Sequence, residues 1–162
     1  MGRYEMHTRP RGPAPATAHL FVYLTAAVVL LTAVACGDSG GGDIGVTLRE
    51  WEVAPEETSV DAGEVTFDIE NVGDETHEFV VVRTDLDPAE LPTAEDGSVD
   101  EEGEGIEPVD EVEDIPSGES GELTVDLDEG SYVLFCNIVE EEEGGEVESH
   151  YQNGMRTAFT VG

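Results

Sequence analysis

The sequence has very few basic residues. It contains no lysine and six arginines against 39 acidic residues, so its formal net charge is −33. Proteins bind the phosphate backbone of nucleic acids mainly through lysine and arginine, and a surface of the opposite sign repels it. An anionic membrane surface repels such a protein in the same way. The composition therefore excludes nucleic-acid binding and predicts no direct adsorption to lipid headgroups.

Cysteines are also scarce, and several common catalytic motifs are missing. Two cysteines in 162 residues are too few for a disulfide-stapled scaffold or a four-thiolate zinc site. The chain has no glycine-rich phosphate-binding loop. It is too short for a barrel of eight strand–helix units, which needs about 250 residues. These absences leave room for one domain of ordinary size.

The first 35 residues have the pattern of an export signal. Three arginines precede an uncharged apolar run at 20–35, which is shorter than the roughly 20 residues that span a bilayer. The run ends in Ala-Val-Ala-Cys at Cys36 and resembles a bacterial lipobox, with a glycine-rich tether at 36–43. We predict a signal peptide at 1–35, lipidation of Cys36 and an extracytoplasmic protein held at the cell membrane by its lipid alone. The alternative is an ordinary signal peptide cut near Ala35, which leaves Cys36 unmodified.

Removal of this leader changes the composition in an informative way. It takes away three arginines and one acidic residue, so 127 residues remain with a net charge of −35. Few soft metal-binding atoms remain beyond Cys36: those of His77, Cys136, His150 and Met155.

Short runs of alternating apolar and polar residues predict an all-β protein. The runs at 65–69, 77–82, 123–127 and 155–161 are separated by turns rich in Gly, Pro, Asp and Asn, as in antiparallel sandwiches. We predict one β-sandwich domain at 44–162. Residues 84–114, of which 14 are acidic, interrupt the pattern and are predicted to form a long acidic insertion exposed to solvent.

Four residues carry the chemistry. Cys136 shares a predicted strand face with Tyr132 and Leu134, His150 and Met155 follow it, and His77 begins an upstream strand. Two imidazoles and a thiolate with a weak axial thioether form a blue-copper site. Any one of these residues alone would more often be an ordinary core residue. The joint placement of both remaining histidines and the remaining methionine favours copper, whereas methionine is a poor ligand for zinc.

The chain resembles the cupredoxins, the small type 1 copper proteins related to plastocyanin. The resemblance is carried by three segments, 71–79, 132–138 and 150–161, and extends over 44–162. It implies a Greek-key β-sandwich with one copper ion per chain, bound by His77, Cys136, His150 and Met155. The sequence departs from the family in two ways. Thirteen residues separate Cys136 from His150, and Glu78 stands where many relatives have asparagine after the first histidine.

The resemblance also implies the function. We predict a monomeric one-electron carrier, not an enzyme, whose redox partner protein has a basic docking patch. A copper-holding or copper-delivery lipoprotein and a metal-free scaffold are the alternatives. Family members usually pass electrons through the exposed edge of the second histidine. Here the glutamates at 140–143, 146 and 148 flank His150 and either steer a partner toward it or cover it.

Overall fold

A computed structural model describes residues 40–141 and 144–162. The predicted signal peptide and the lipidation site Cys36 lie outside the described residues. Within the part that the structure describes, no helix combines the length and apolar character needed to cross a bilayer.

Two β-sheets form the body of the domain. One has the strand order β2-β1-β4-β7, and the other has the order β3-β11-β8-β5-β6. Strands β9 and β10 form a separate hairpin. The bounds are β1 Gly41–Arg49, β2 Glu52–Pro55, β3 Ser59–Val60, β4 Gly63–Asn71, β5 His77–Arg83, β6 Glu107–Ile115, β7 Ser120–Leu127, β8 Gly130–Phe135, β9 Val139–Glu141, β10 Val147–Ser149 and β11 Arg156–Val161, with one short helix, α1, at His150–Asn153.

The alternating runs explain how the two sheets pack. Val65, Phe67 and Ile69 on β4 are buried, whereas Thr66 and Asp68 between them are not. The same period of two holds on β7, because side chains alternate between the faces of a strand. The inward faces of both sheets meet in one core cluster that includes Phe67, Phe79, Phe159, Cys136 and Met155. The predicted all-β sandwich is confirmed.

The boundary between tether and domain lies earlier than the sequence predicts. Residues 41–43 belong to β1 and pair in parallel with β4, so the predicted tether at 36–43 overlaps the first strand. The strand extends into this glycine-rich segment because its hydrogen bonds are made by the backbone and require no side chains. Gly41 has φ +94, and a Cβ there would lie 1.9 Å from the carbonyl oxygen of Glu64. The close approach of β1 to β4 at this point requires glycine.

The acidic insertion at 84–114 is only partly the solvated segment that its composition predicts. Its last part forms β6, an edge strand paired with β5. Its first part covers the outer face of the second sheet, where Leu91 and Val99 are buried against Val133, Phe135 and Tyr151. Two apolar side chains among many carboxylates are sufficient for this packing, because the acidic residues between them point to solvent.

Candidate metal centre

The loop between β4 and β5 positions His77. The buried side chain of Asn71 donates from Nδ2 to the carbonyl oxygens of Glu75 and Ile115, and its Oδ1 accepts a hydrogen bond from the amide of Gly73. These bonds fix the loop in a turn before β5 begins. His77, the first residue of that strand, is thereby held fully buried.

Cys136 directly follows β8 and is a buried free thiol. The backbone amide of Glu78 donates to its Sγ at 3.3 Å. Burial raises the pKa of the Cys136 thiol to about 11, although the amides of Glu78 and Ile138 act in the opposite direction. A bound metal ion deprotonates a coordinating thiol, so ligation at this position is coupled to proton release.

His150 and Met155 lie on either side of a single helical turn. Ser149 caps α1 by accepting a hydrogen bond from Gln152, and Gly154 ends the helix at φ 124. The turn brings the amide of Met155 to the carbonyl oxygen of His150, and the amide of Cys136 bonds the carbonyl oxygen of Met155. The backbone therefore ties these three residues together.

Three donor atoms converge in the interior. The Nδ1 atoms of His77 and His150 are 3.2 Å apart, and Cys136 Sγ lies 3.4 Å from Nδ1 of His150. A metal held at about 2.0–2.1 Å from two imidazole nitrogens separates them by roughly 3.3 Å at near-tetrahedral angles. The described donor atoms of these three residues all lie within 4.8 Å of one another. This spacing fits one copper ion of the type 1 class.

Both imidazoles are neutral in this environment, which is the form that binds metals. Burial, together with the neighbouring His77, lowers the pKa of His150 to about 4, although the charge of Glu50 acts in the opposite direction. Burial also lowers the pKa of His77, although the charge of Glu50 opposes this effect.

The structure brings together three of the four residues that the sequence predicts as ligands: His77, Cys136 and His150. The fourth, Met155, is fully buried in the same core cluster as Cys136 and is hydrogen-bonded through its backbone to two of the three. Its role as an axial ligand remains a prediction.

His150 is more enclosed than the family resemblance implies. Its side chain is only 1% exposed, whereas the resemblance implies a histidine edge at the surface. Trp51 packs edge-on against the ring at 5.1 Å between centroids, and the carboxylate of Glu75 lies beyond Nε2. The 13-residue connection instead forms the β9–β10 hairpin, whose described glutamates are largely exposed.

Supporting residues that sequence reasoning missed surround the ligands. Asn137, next to Cys136, exchanges hydrogen bonds with the backbone of Val99. Tyr151, next to His150, donates its hydroxyl proton to the carbonyl oxygen of Pro88 and accepts from the amide of Leu91. The acidic insertion is thus attached to the neighbours of two predicted ligands. No sequence signal marked these pairs, because each joins residues more than 35 positions apart.

Glu78, which stands where many relatives have asparagine, is hydrogen-bonded to the segment after Cys136. The backbone amide of Asn137 donates to the Glu78 carboxylate, which links the first histidine's strand to the segment after Cys136. Burial, together with the nearby Glu111 and Glu101, raises the pKa of Glu78 to about 7.

Only one of three comparisons, the one with solved structures, finds proteins similar to this chain. No model of a known protein family matches the chain, and no curated protein does. Among solved structures, reduced rusticyanin matches with a TM-score of 0.51 at 18% identity, over 74% of this chain and 78% of rusticyanin. The chain has the cupredoxin fold.

Two further solved structures are similar at slightly lower scores. Dithionite-reduced auracyanin from Roseiflexus castenholzii has a TM-score of 0.49 at 20% identity, over 75% of this chain and 96% of that one. Auracyanin A, described as a "blue" copper protein from Chloroflexus aurantiacus, has a TM-score of 0.49 at 20% identity. The match covers 76% of this chain and 100% of auracyanin A. In this chain, the donor triangle lies in a cupredoxin fold.

Proposed function

We propose that the protein is a mononuclear type 1 copper protein that carries one electron at a time. The observation that carries this proposal is the buried triangle of two Nδ1 atoms and one Sγ, already spaced for a metal ion. Ligands fixed by strand, helix and loop hydrogen bonds move little when the copper changes its charge. A small rearrangement favours rapid electron exchange.

The burial of the donors favours electron transfer over copper delivery. Handing Cu(I) to another protein requires incoming ligands to reach the ion, and His77, Cys136, His150 and Met155 are all 0% exposed. Electrons do not need such access. The deciding experiment is the visible spectrum of the copper-loaded protein, followed by its reduction potential and self-exchange rate. A blue protein with slow self-exchange and fast Cu(I) transfer to a chelator would favour copper delivery.

We propose that a partner with a basic surface docks near the acidic hairpin. In β9 and β10, Glu140 lies directly opposite Glu148, and both precede His150 in the chain. Opposite charges steer proteins together and raise association rates, an effect that salt screens. The hairpin pairs with itself and its described glutamates are largely exposed, which supports steering rather than a cover over the site.

Shortening 139–147 to a brief turn tests this role, because it removes five glutamates and keeps the predicted ligands. We expect the association rate with a basic c-type cytochrome at low salt to fall about tenfold or more, with little remaining salt dependence. Stopped-flow absorbance measures this rate. The matched control keeps the full length and replaces the same five glutamates by glutamine, and it should slow equally. If the shortened variant alone reacts faster with a small neutral reductant, the hairpin is a cover and steering is wrong.

We propose further that the protein acts outside the cytoplasm, held at the membrane by a lipid on Cys36. The proposal is supported by the apolar run that ends at Cys36 and by the tether after it. A single acyl chain gives only marginal membrane binding, so stable retention requires the several chains of a lipoprotein cysteine.

Replacement of Cys36 by alanine tests the lipid attachment. We expect the variant to appear as a released domain or as an unprocessed precursor, because position 36 no longer has a thiol to accept the lipid. Fractionation of cells followed by mass spectrometry of the N-terminus distinguishes these forms. Mature, processed protein that stays in the membrane fraction would show that Cys36 is not the attachment point.

A further inference from the structure

The outer nitrogens of both predicted histidine ligands face carboxylates. The Nδ1 atoms of His77 and His150 point at each other, and their Nε2 atoms point away from the donor triangle. Nε2 of His77 lies 3.2 Å from Oε1 of Glu50, and Nε2 of His150 lies 3.7 Å from Oε2 of Glu75. Each imidazole therefore has the metal position on one side and an acidic side chain on the other.

The Glu50 carboxylate and the backbone of Glu75 belong to one small hydrogen-bond network. Oε1 of Glu50 accepts hydrogen bonds from the amides of Asp74 and Glu75, each at 2.9 Å. The carbonyl oxygen of Glu75 accepts from the buried Asn71. The Glu50 side chain also lies so close to Gly73 that a Cβ there would meet it at 2.4 Å. Both acidic residues are thus fixed by the same loop that leads into His77.

The partly buried environment strengthens the effect of these two carboxylates on the metal site. Both histidine rings are fully buried, and the side chains of Glu50 and Glu75 are only 25% and 37% exposed. In a partly buried site, solvent screens the attraction between a charge and a nearby metal less than at the surface.

We propose that Glu50 and Glu75 are the outer partners of the copper ligands, one for each imidazole, and that they stabilise Cu(II) over Cu(I). The inference rests on the proposed function, since it concerns the same metal site. An imidazole that binds metal through Nδ1 carries its proton on Nε2, and a carboxylate facing that proton orients the ring and makes it a stronger donor. Two fixed negative charges also attract the divalent ion more than the monovalent one.

The variants Glu50→Gln and Glu75→Gln separate charge from shape. Glutamine at position 50 retains an oxygen that accepts from the amides of Asp74 and Glu75, so the loop keeps its hydrogen bonds. Glu64→Gln is the matched control, because Glu64 is exposed near the start of β4, at the opposite end of that strand from the loop to His77. It removes the same charge by the same substitution.

Each variant protein is titrated with Cu(II) and Cu(I) separately, and its reduction potential is measured by redox titration. We expect each site variant to bind Cu(II) about tenfold more weakly, with a smaller change for Cu(I). A tenfold fall in the ratio of Cu(II) affinity to Cu(I) affinity corresponds to a rise of about 59 mV in a one-electron reduction potential. The control should keep the wild-type potential. Equal losses of Cu(II) and Cu(I) affinity would indicate a merely structural role, and potentials equal to the control would also overturn the proposal.

Zn(II) affinity makes the test independent of the copper chemistry. If the wild-type protein with Cu(II) shows no charge-transfer band, the proposed function fails. The carboxylates are still expected to strengthen Zn(II) binding about tenfold each, through the same imidazoles. Unchanged Zn(II) affinity in both glutamine variants would overturn the inference while leaving the blue-copper function to its own spectrum.

Discussion

We expect Cys136→Ser to abolish the intense visible absorption of the Cu(II) protein. The colour of a type 1 site comes from charge transfer between the thiolate and copper, and a serine oxygen does not supply it. Cys136 is 0% exposed and its Sγ lies 3.4 Å from Nδ1 of His150, so the substitution places a serine hydroxyl at the buried position of the thiol. Visible absorption of the Cu(II)-loaded variant measures the effect.

We expect the Cys136→Ser variant to keep its fold. Serine has nearly the shape of cysteine, and the amide of Glu78, which donates to Sγ in the structure, can donate to the hydroxyl instead. The free energy of unfolding falls by about 1–3 kcal/mol if the buried serine hydroxyl lacks full hydrogen bonding. Thermal unfolding of the metal-free protein checks that the variant is folded.

Met155→Leu is the matched comparison, because it alters the same core cluster and spares the thiolate. We expect this variant to keep its colour and to have a higher reduction potential, since a weak thioether donor stabilises Cu(II) more than an alkyl group does. Colour retained by Cys136→Ser, or a colourless Cu(II) complex of the unaltered protein, would contradict the assignment of the thiolate ligand.

The melting temperature of the protein should rise steeply with salt. The net charge of −33 is spread over 162 residues, and like charges destabilise a compact state. Two pairs of exposed acidic residues repel each other across β4 and β7. Glu64 lies opposite Asp126, and Asp68 lies opposite Glu122. Each such pair is unfavourable by about 0.5 kcal/mol. Salt relieves them, because the Debye length shrinks from about 10 Å at 0.1 M to about 3 Å at 1 M.

Differential scanning calorimetry in sodium chloride measures this effect at a fixed metal state. We expect Tm to rise on the order of 10 °C between these two salt concentrations, which corresponds to about 2 kcal/mol for a domain of this size. Glu122→Lys converts one repulsive pair into an attractive one, and it should raise Tm at low salt more than at high salt. A Tm that stays constant or falls with added salt would show that self-repulsion does not limit stability.

The sequence by itself determined the class of fold and the chemistry of the metal centre. Alternation at 65–69 and 123–127 is a local property, because a strand exposes successive residues to opposite faces, and β4 and β7 follow it. The scarcity of soft ligands was equally decisive. With two histidines and one methionine left after the leader, few other combinations were available to join Cys136.

Local pattern failed where burial depends on a distant partner. Strand β6 was hidden in the acidic insertion, because an edge strand with carboxylates on its exposed face lacks a clear apolar alternation. Leu91 and Val99 looked like isolated apolar residues, and only the outer face of the second sheet gives them a surface to cover.

Only the tertiary structure decided how the metal centre is enclosed. The side chains around His150 come from two turns far from it in the sequence, one with Glu50 and Trp51 and the other with Glu75. Nothing in the spacing of these residues relates them to His150. The pairing of β1 with β4 brings those turns to the same end of the domain, over the imidazoles. The predicted ligands follow from residue chemistry, which a sequence displays directly. Enclosure and charge around the ligands depend on which loops the sheet register brings together, and that register exists only in the folded chain.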